Sequence, residues 1–243
     1  MLKTRFIPKN MTTLEYKNQI QEKPKILFRQ NSKLKKDNIY QFSIPAYKSI
    51  VFKDNQEHEL KTCPNAGKCV AYCYASSGNY IFKNVILTHS RNLNFVINFP
   101  EEFVNLAIKE LSEKKISILR IHDSGDFFSE DYLNLWFRII EANPNVKFYA
   151  YTKQVSMFKL KILPKNFTVV FSFGGKEDNL IDEKKDRFSK VFKNESTLDK
   201  LSFQNVSSSD LKASEKRFRK IGLIAHGNFV IKRKLKNANE VVS

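Results

Sequence analysis

The sequence predicts an α/β fold: a mainly parallel sheet joined by crossover helices. Strand-like apolar runs alternate with segments of helical period at least four times, the signature of parallel crossover units. Each unusual polar cluster falls just after such a run, at the strand ends where these folds collect their working residues. With 42% hydrophobic residues, 21 Phe, and only 7 Gly and 7 Pro in 243 residues, the chain can bury a sizeable core.

Residues 1–38 are polar, charged and poorly periodic, and close on Lys33-Leu34-Lys35-Lys36, which reads as a mobile or loosely docked basic arm. From Ile39 the pattern turns β-like, with Tyr40, Phe42 and Ile44, a break at Pro45, then Tyr47, Ile50 and Val51. Ser76-Ser77-Gly78-Asn79 offers a turn and a cap for a helix carrying Tyr80, Val85, Ile86, His89, Leu93, Val96 and Ile97. A second helix starts at Pro100-Glu101-Glu102, with proline and acids in its first turn, and reaches Lys114. The run 116–121 reads as a buried strand ending in His122-Asp123-Ser124-Gly125-Asp126, after which Ser129 caps a helix bearing Trp136.

The alternation continues with a strand over 146–151, then Thr152-Lys153-Gln154 and a short helix through Met157 and Leu160. A strand over 167–173 ends in Gly174-Gly175. Residues 176–220 are charged, with one expected helix over 209–219, and a last strand over 221–225 closes on His226-Gly227. The expected organisation is a basic arm over 1–38, an α/β domain over 39–230 and a basic tail over 231–243.

The formal charge of +17 sits on the flanks. Residues 63–152 carry nine basic and nine acidic side chains, whereas 153–243 carry twenty and ten. Such an excess favours a polyanionic partner, most simply nucleic acid, although a lysine-rich composition yields the same charge without one. No apolar run is long enough to span a bilayer, and the basic start leads into polar residues rather than a signal-peptide core. With three cysteines and no export signal, the expected compartment is a reducing cytoplasm.

Those cysteines are the strongest chemical signal. All three lie in Cys63-Pro64-Asn65-Ala66-Gly67-Lys68-Cys69-Val70-Ala71-Tyr72-Cys73, on a polar loop unlike the buried settings of inert cysteine. Three thiols without a fourth make an incomplete metal site. Zinc would need His89, His122 or His226 to close its tetrahedron. A four-iron cluster would keep one iron open.

The loop resembles the cluster loop of the radical SAM superfamily, in which three close cysteines hold a 4Fe-4S cluster and an aromatic residue, here Tyr72, precedes the last. The spacing differs: C-x5-C-x3-C here against C-x3-C-x2-C there. The chain also resembles a phage and plasmid family named for a mycobacteriophage gene product, number eighty-eight. The matching elements are Cys73-Tyr74-Ala75, Arg91-Asn92, Ser124-Gly125-Asp126-Phe127 and Tyr151-Thr152-Lys153.

These resemblances imply an iron–sulfur protein of a phage or mobile element, in the host cytoplasm, on a partial or irregular β/α barrel. Cys63, Cys69 and Cys73 would hold the metal. His122, Asp123, Ser124, Gly125, Asp126 and Gly174 would surround a cofactor, S-adenosylmethionine under an enzyme reading. Asp126 and Lys153 would act on the substrate. Each has a plainer reading: Asp126 as a cap, Gly125 as a turn residue, Gly174 as loop, and Lys153 as a solvated amine. The competing function is a non-catalytic nucleic-acid-binding protein whose zinc or cluster only pins the loop.

Overall fold

In a computed structural model the structure describes residues 7–225. The elements run α1 (Thr13–Gln21), α2 (Ser32–Lys36), β1 (Ile39–Phe42), β2 (Ser49–Lys53), β3 (Gln56–Leu60), α3 (Lys83–Asn98), α4 (Pro100–Glu113) and β4 (Ile118–Ile121). They continue with α5 (Glu130–Glu141), β5 (Lys147–Thr152), α6 (Val155–Lys159), β6 (Phe167–Ser172), β7 (Phe188–Phe192), α7 (Glu195–Lys200), β8 (Gln204–Asn205), α8 (Leu211–Ser214) and β9 (Lys220–Ile224). Seven strands form one parallel sheet in the order β1-β4-β5-β6-β7-β9-β8, curled into a half-barrel. The expected α/β class and partial barrel are what the chain adopts.

The period of two sorts each strand between two faces. On one face Phe42, Leu119, Ile121, Phe148, Phe167, Phe171 and Phe188 pack under the crossover helices as part of the main core. Its centre is aromatic: Trp136 is fully buried and meets Phe42 edge-on at 5.3 Å and Phe103 at 5.5 Å. Pairs of this kind add about 1 kcal/mol each beyond simple burial. The other face, which becomes the inside of the half-barrel, carries Ile39, Arg120, Tyr149, Tyr151, Val170, Ser189 and Ile221, and is partly closed by Leu34, Val206 and Ala213.

Helix starts follow local chemistry. Thr12 and Glu15 form a reciprocal capping box on α1, Pro100 opens α4 ahead of two acids, and the Ser129 hydroxyl accepts from Tyr132 N at 3.2 Å on α5. The N-terminal segment, expected as a loosely docked arm, is packed down. Tyr16, Ile20, Leu27, Phe28 and Leu34 are all buried, and Glu110 accepts from Leu27 N and Phe28 N at 2.7 and 3.1 Å.

Three further expectations shift. The second β-like stretch leaves the main sheet and pairs antiparallel with β3 as a hairpin. Asp54 and Asn55 supply the left-handed pair (φ 50° and 63°) that a two-residue turn needs. The charged stretch hides β7, α7 and β8, and the helix expected over 209–219 shrinks to four residues. Within β7, Lys190 packs its stem over the rings of Phe173 and Phe188, which masks the strand's alternation. The turn at 226–228 and the tail at 231–243 lie outside the described residues.

Candidate functional site

The cysteine loop follows β3 of the hairpin and crosses to the carboxyl end of β6. Ala66 bridges Gly175 in antiparallel register, and Gly67 N and Cys69 N both donate to Gly174 O, at 3.2 and 3.0 Å. Lys176 Nζ donates to Pro64 O at 2.7 Å, and Asn65 donates to Gln154 Oε1 at 2.7 Å. Residues 68–81 are otherwise a chain of short 3₁₀ turns.

Gly174 makes this docking possible. Its φ is +96°, and a Cβ there would stand 2.5 Å from the Tyr72 hydroxyl and 3.1 Å from Cys69 Cβ. Its bareness therefore serves the approach of the cysteine loop, while Asp178 fixes the turn by accepting from Gly174 N and Gly175 N at 2.8 Å each.

All three cysteines are free thiols of intermediate exposure. Cys63 Sγ accepts from Tyr47 N at 3.3 Å. Burial pushes the Cys63 thiol well up; Asp126 and Cys73 add to the rise, and Lys153 opposes it. Cys73 is raised for the same leading reason, with Cys69 contributing and Lys153 opposing. The three sulfurs thus share one electrostatic neighbourhood beside Lys153. Among the described residues, no three His, Cys, Asp or Glu side chains are gathered tightly enough to hold a metal ion as they stand.

The second polar turn is brought alongside. Asp126 N donates to Thr62 O at 3.0 Å, immediately before Cys63, and Ser124 Oγ donates to Ile44 O at 2.6 Å. Gly125 has φ +85°, and a Cβ there would overlap Ile44 Cγ1 at 2.2 Å. The Asp126 carboxylate is buried, which raises its pKa. It accepts from Thr152 Oγ1 at 2.6 Å, Phe127 N at 2.8 Å and Lys153 N at 2.9 Å. It stitches the end of β4 to the end of β5.

The sequence-selected residues do not all meet. His122, also left-handed at φ +66°, turns into the helix-covered core, where Nε2 lies 2.7 Å from the Tyr132 hydroxyl and the ring meets Phe127 at 4.7 Å. Burial, reinforced by Arg120, lowers its pKa to about 3, so it is a neutral core imidazole. Ser124 reaches His89 Nδ1 at 3.2 Å. Lys153 Nζ lies on the inner side, donating to Ser172 Oγ at 2.9 Å.

Residues not singled out from sequence complete the inner wall. Arg120 Nη1 reaches Asp123 Oδ1 at 3.1 Å and Asp210 Oδ2 at 3.0 Å, and Lys33 Nζ meets Asp210 Oδ1 at 2.6 Å. Tyr149 donates to Asp210 Oδ2 at 3.0 Å, and the hydroxyls of Tyr74 and Tyr80 donate to the Asp123 carbonyl and carboxylate. Burial alone would raise the Asp210 carboxyl, but Arg120 and Lys33 outweigh it and hold it below its ordinary value. The signal for this network was an arginine inside an otherwise apolar strand.

The matches to known proteins cover this whole arrangement. A profile described as gene product 88 matches residues 25–236, from the N-terminal segment through both polar turns to the last strand. The chain belongs to the gene product 88 family. It is 34% identical over 102 residues to the gene 88 protein of Mycobacterium phage L5, covering 38% of this chain and 43% of that one. It is 32% identical over 102 residues to the gene 88 protein of Mycobacterium phage D29, covering 38% and 42%. The alignments thus span less than half the length of these curated relatives. No solved structure matches. Among the described residues, no helix is long and apolar enough to cross a membrane.

Proposed function

We propose that this protein binds an iron–sulfur cluster, of 4Fe-4S type, through Cys63, Cys69 and Cys73, and works on an anionic substrate held inside the half-barrel. The observation that carries the reading is the seat of the three free thiols. Every cysteine of the chain lies on one loop, laced to the carboxyl ends of β5 and β6, with the thiols electrostatically coupled.

The donor set fits the group. Three thiolates are the usual complement for a cluster with one open iron, and the N–H of Tyr47 on Cys63 Sγ is the type of hydrogen bond that tunes such sulfurs. Burial disfavours free thiolates here, and coordination to iron offsets that cost by taking up the charge. Drawing the three thiols onto one metal would require the 3₁₀ turns at 68–81 to adjust, since ligation and local folding are coupled. When bound, a cluster of this kind supplies an open iron position for S-adenosylmethionine and an electron for its reductive cleavage.

The chain's own residues supply position and charge. Lys153, held on Ser172, presents an ammonium beside Cys63 and Cys73 to an anionic group. Asp126 keeps that lysine's backbone in place. Arg120 fixes Asp123 at the end of β4, leaving the turn rigid beneath the loop.

A second reading is favoured by a different surface. A shallow groove of about 390 Å³ at the amino ends of β8 and β9 is lined by Ser202, Gln204, Arg217, Phe218, Arg219 and Lys220. Arg217 stacks over Phe218 at 4.6 Å, an arrangement suited to a nucleic-acid strand.

Anaerobic purification with iron, sulfide and zinc analysis separates the readings. The expected result is a brown protein with about four irons and four sulfides per chain, lost in Cys69→Ser. Stoichiometric zinc without iron overturns the cluster. Salt-dependent nucleic-acid binding by a chain without affinity for S-adenosylmethionine establishes the second reading instead.

A further inference from the structure

Among the described residues, one guanidinium on the inner face has no carboxylate within ion-pair distance. Arg187, just before β7, donates from Nη2 to Ala213 O at 3.1 Å, while its Nε and Nη1 are buried without a partner among the described residues. Two more buried groups on the same face are also unpartnered: the Tyr151 hydroxyl and Ser189 Oγ, the latter residue only 1% exposed.

Register brings the three together. Tyr151 lies opposite Val170 on one side, and Arg187 lies opposite it on the other, since Phe171 N donates to Arg187 O at 2.9 Å. Backbones two strands apart are about 10 Å from one another, a gap that a tyrosine and an arginine on the same face close between them. Ser189 is the next residue on that face of β7, paired with Ser172, which Lys153 already holds.

Charge points the same way. Among the described residues, the inside of the half-barrel sets Lys33, Arg120, Lys153 and Arg187 against two carboxylates, Asp123 and Asp210, and both belong to the Arg120 side of the cluster. Glu215, which also acts on Arg187, is itself paired with Arg217 at 2.6 Å. Burial lowers the Arg187 guanidinium to about 10, and the opposing pull of Tyr151 and Glu215 does not make up the lost hydration. Water would satisfy the hydrogen bonds and leave the charge uncompensated.

We propose that Arg187, Tyr151 and Ser189 form an oxyanion-binding site inside the half-barrel, which takes a carboxylate or phosphate group of the substrate. A planar guanidinium offering two free N–H groups suits either, and two hydroxyls add the remaining donors. The site stands on the inner face alone and needs no metal, so it survives if the loop proves to bind zinc or nothing.

The test is anion-dependent thermal unfolding and calorimetric titration of the full chain with inorganic phosphate and with succinate, against chloride at matched ionic strength. Saturable binding is expected, at least tenfold weaker in Arg187→Met and several-fold weaker in Ser189→Ala and Tyr151→Phe, and unchanged in Arg219→Ala at the outer groove. The anion that binds tighter identifies the substrate group. If Arg187→Met does not fold, the two near-isosteric hydroxyl variants carry the decision. Binding that persists in them, or that follows Arg219, overturns the site, as does the absence of any anion-specific effect.

Discussion

The two faces of the one parallel sheet follow different rules. Under the helices, strand positions are Phe, Leu and Ile, and the fully buried Trp136 is wrapped by Phe42, Phe103 and Tyr132. Inside the half-barrel the same strands present Arg120, Tyr149, Tyr151 and Ser189, with Arg187 just before β7. The first face stabilises by area removed from water. The second commits desolvated charge, which is a weak source of stability and is retained for what it holds in place or binds. A sheet built this way separates folding from function by strand parity.

Breaking the apolar side should cost most. Trp136→Ala is expected to lower unfolding free energy by about 4 kcal/mol, measured in urea, with the iron content proposed for the cysteine loop unchanged per folded chain. A parallel loss of metal would show that the faces are not separable. Asp210→Ala, on the inner side, leaves Lys33 and Arg120 without their shared carboxylate and should cost about 3 kcal/mol. Added phosphate should restore more of that loss than the gain it gives Trp136→Ala, which keeps the wild-type inner face.

Acid sensitivity sharpens the contrast further. Burial lowers His122 to about 3 and His89 to about 4, in the latter case against the pull of Asp123. Unfolded imidazoles titrate near pH 6.5, so this stability is complete above that pH and drains away as pH falls toward 4 and then 3. His122→Asn tolerates the left-handed backbone and should reduce the slope of stability against pH between 5 and 6 by up to about 1.4 kcal/mol per unit. His89, lowered for the same leading reason, contributes to the slope that remains. An unchanged slope would place the titrating groups elsewhere. The smallest effect is expected at the exposed Arg138–Glu101 pair, 2.7 Å in both contacts, where Arg138→Ala should leave the urea midpoint almost unchanged.

Strands that the helices cover were legible in the sequence because the helix-facing positions of β4, β5 and β6 are largely apolar, and turn residues such as Gly125 mark their ends. The hairpin was not, because β3 is Gln-Glu-His-Glu-Leu, nearly all exposed, and is specified by its turn and its partner rather than by burial. β7 was lost among charges, since Lys190 packs along phenylalanine rings while its ammonium reaches Glu183. Of the candidate site, the cysteine loop and the 122–126 turn were visible from composition. The facing of single side chains was not: His122 and Asp123 are adjacent, yet one enters the core and the other the inner wall. Arg120 passed as part of a hydrophobic run because Asp210, the partner that ties it into the inner wall beyond nearby Asp123, lies 90 residues away.

The lacing of the cysteine loop onto Gly174 and its neighbours also sets an order of events in the life of the chain. Lys176 and Pro64, which it joins, are 112 residues apart. During synthesis the cysteines therefore leave the ribosome long before the segment that seats them, and closing so long a loop waits for the intervening strands to assemble. The cysteine loop can dock only after β4, β5 and β6, which lead to its seat, have been made, so a newly made chain carries its three thiols undocked until then.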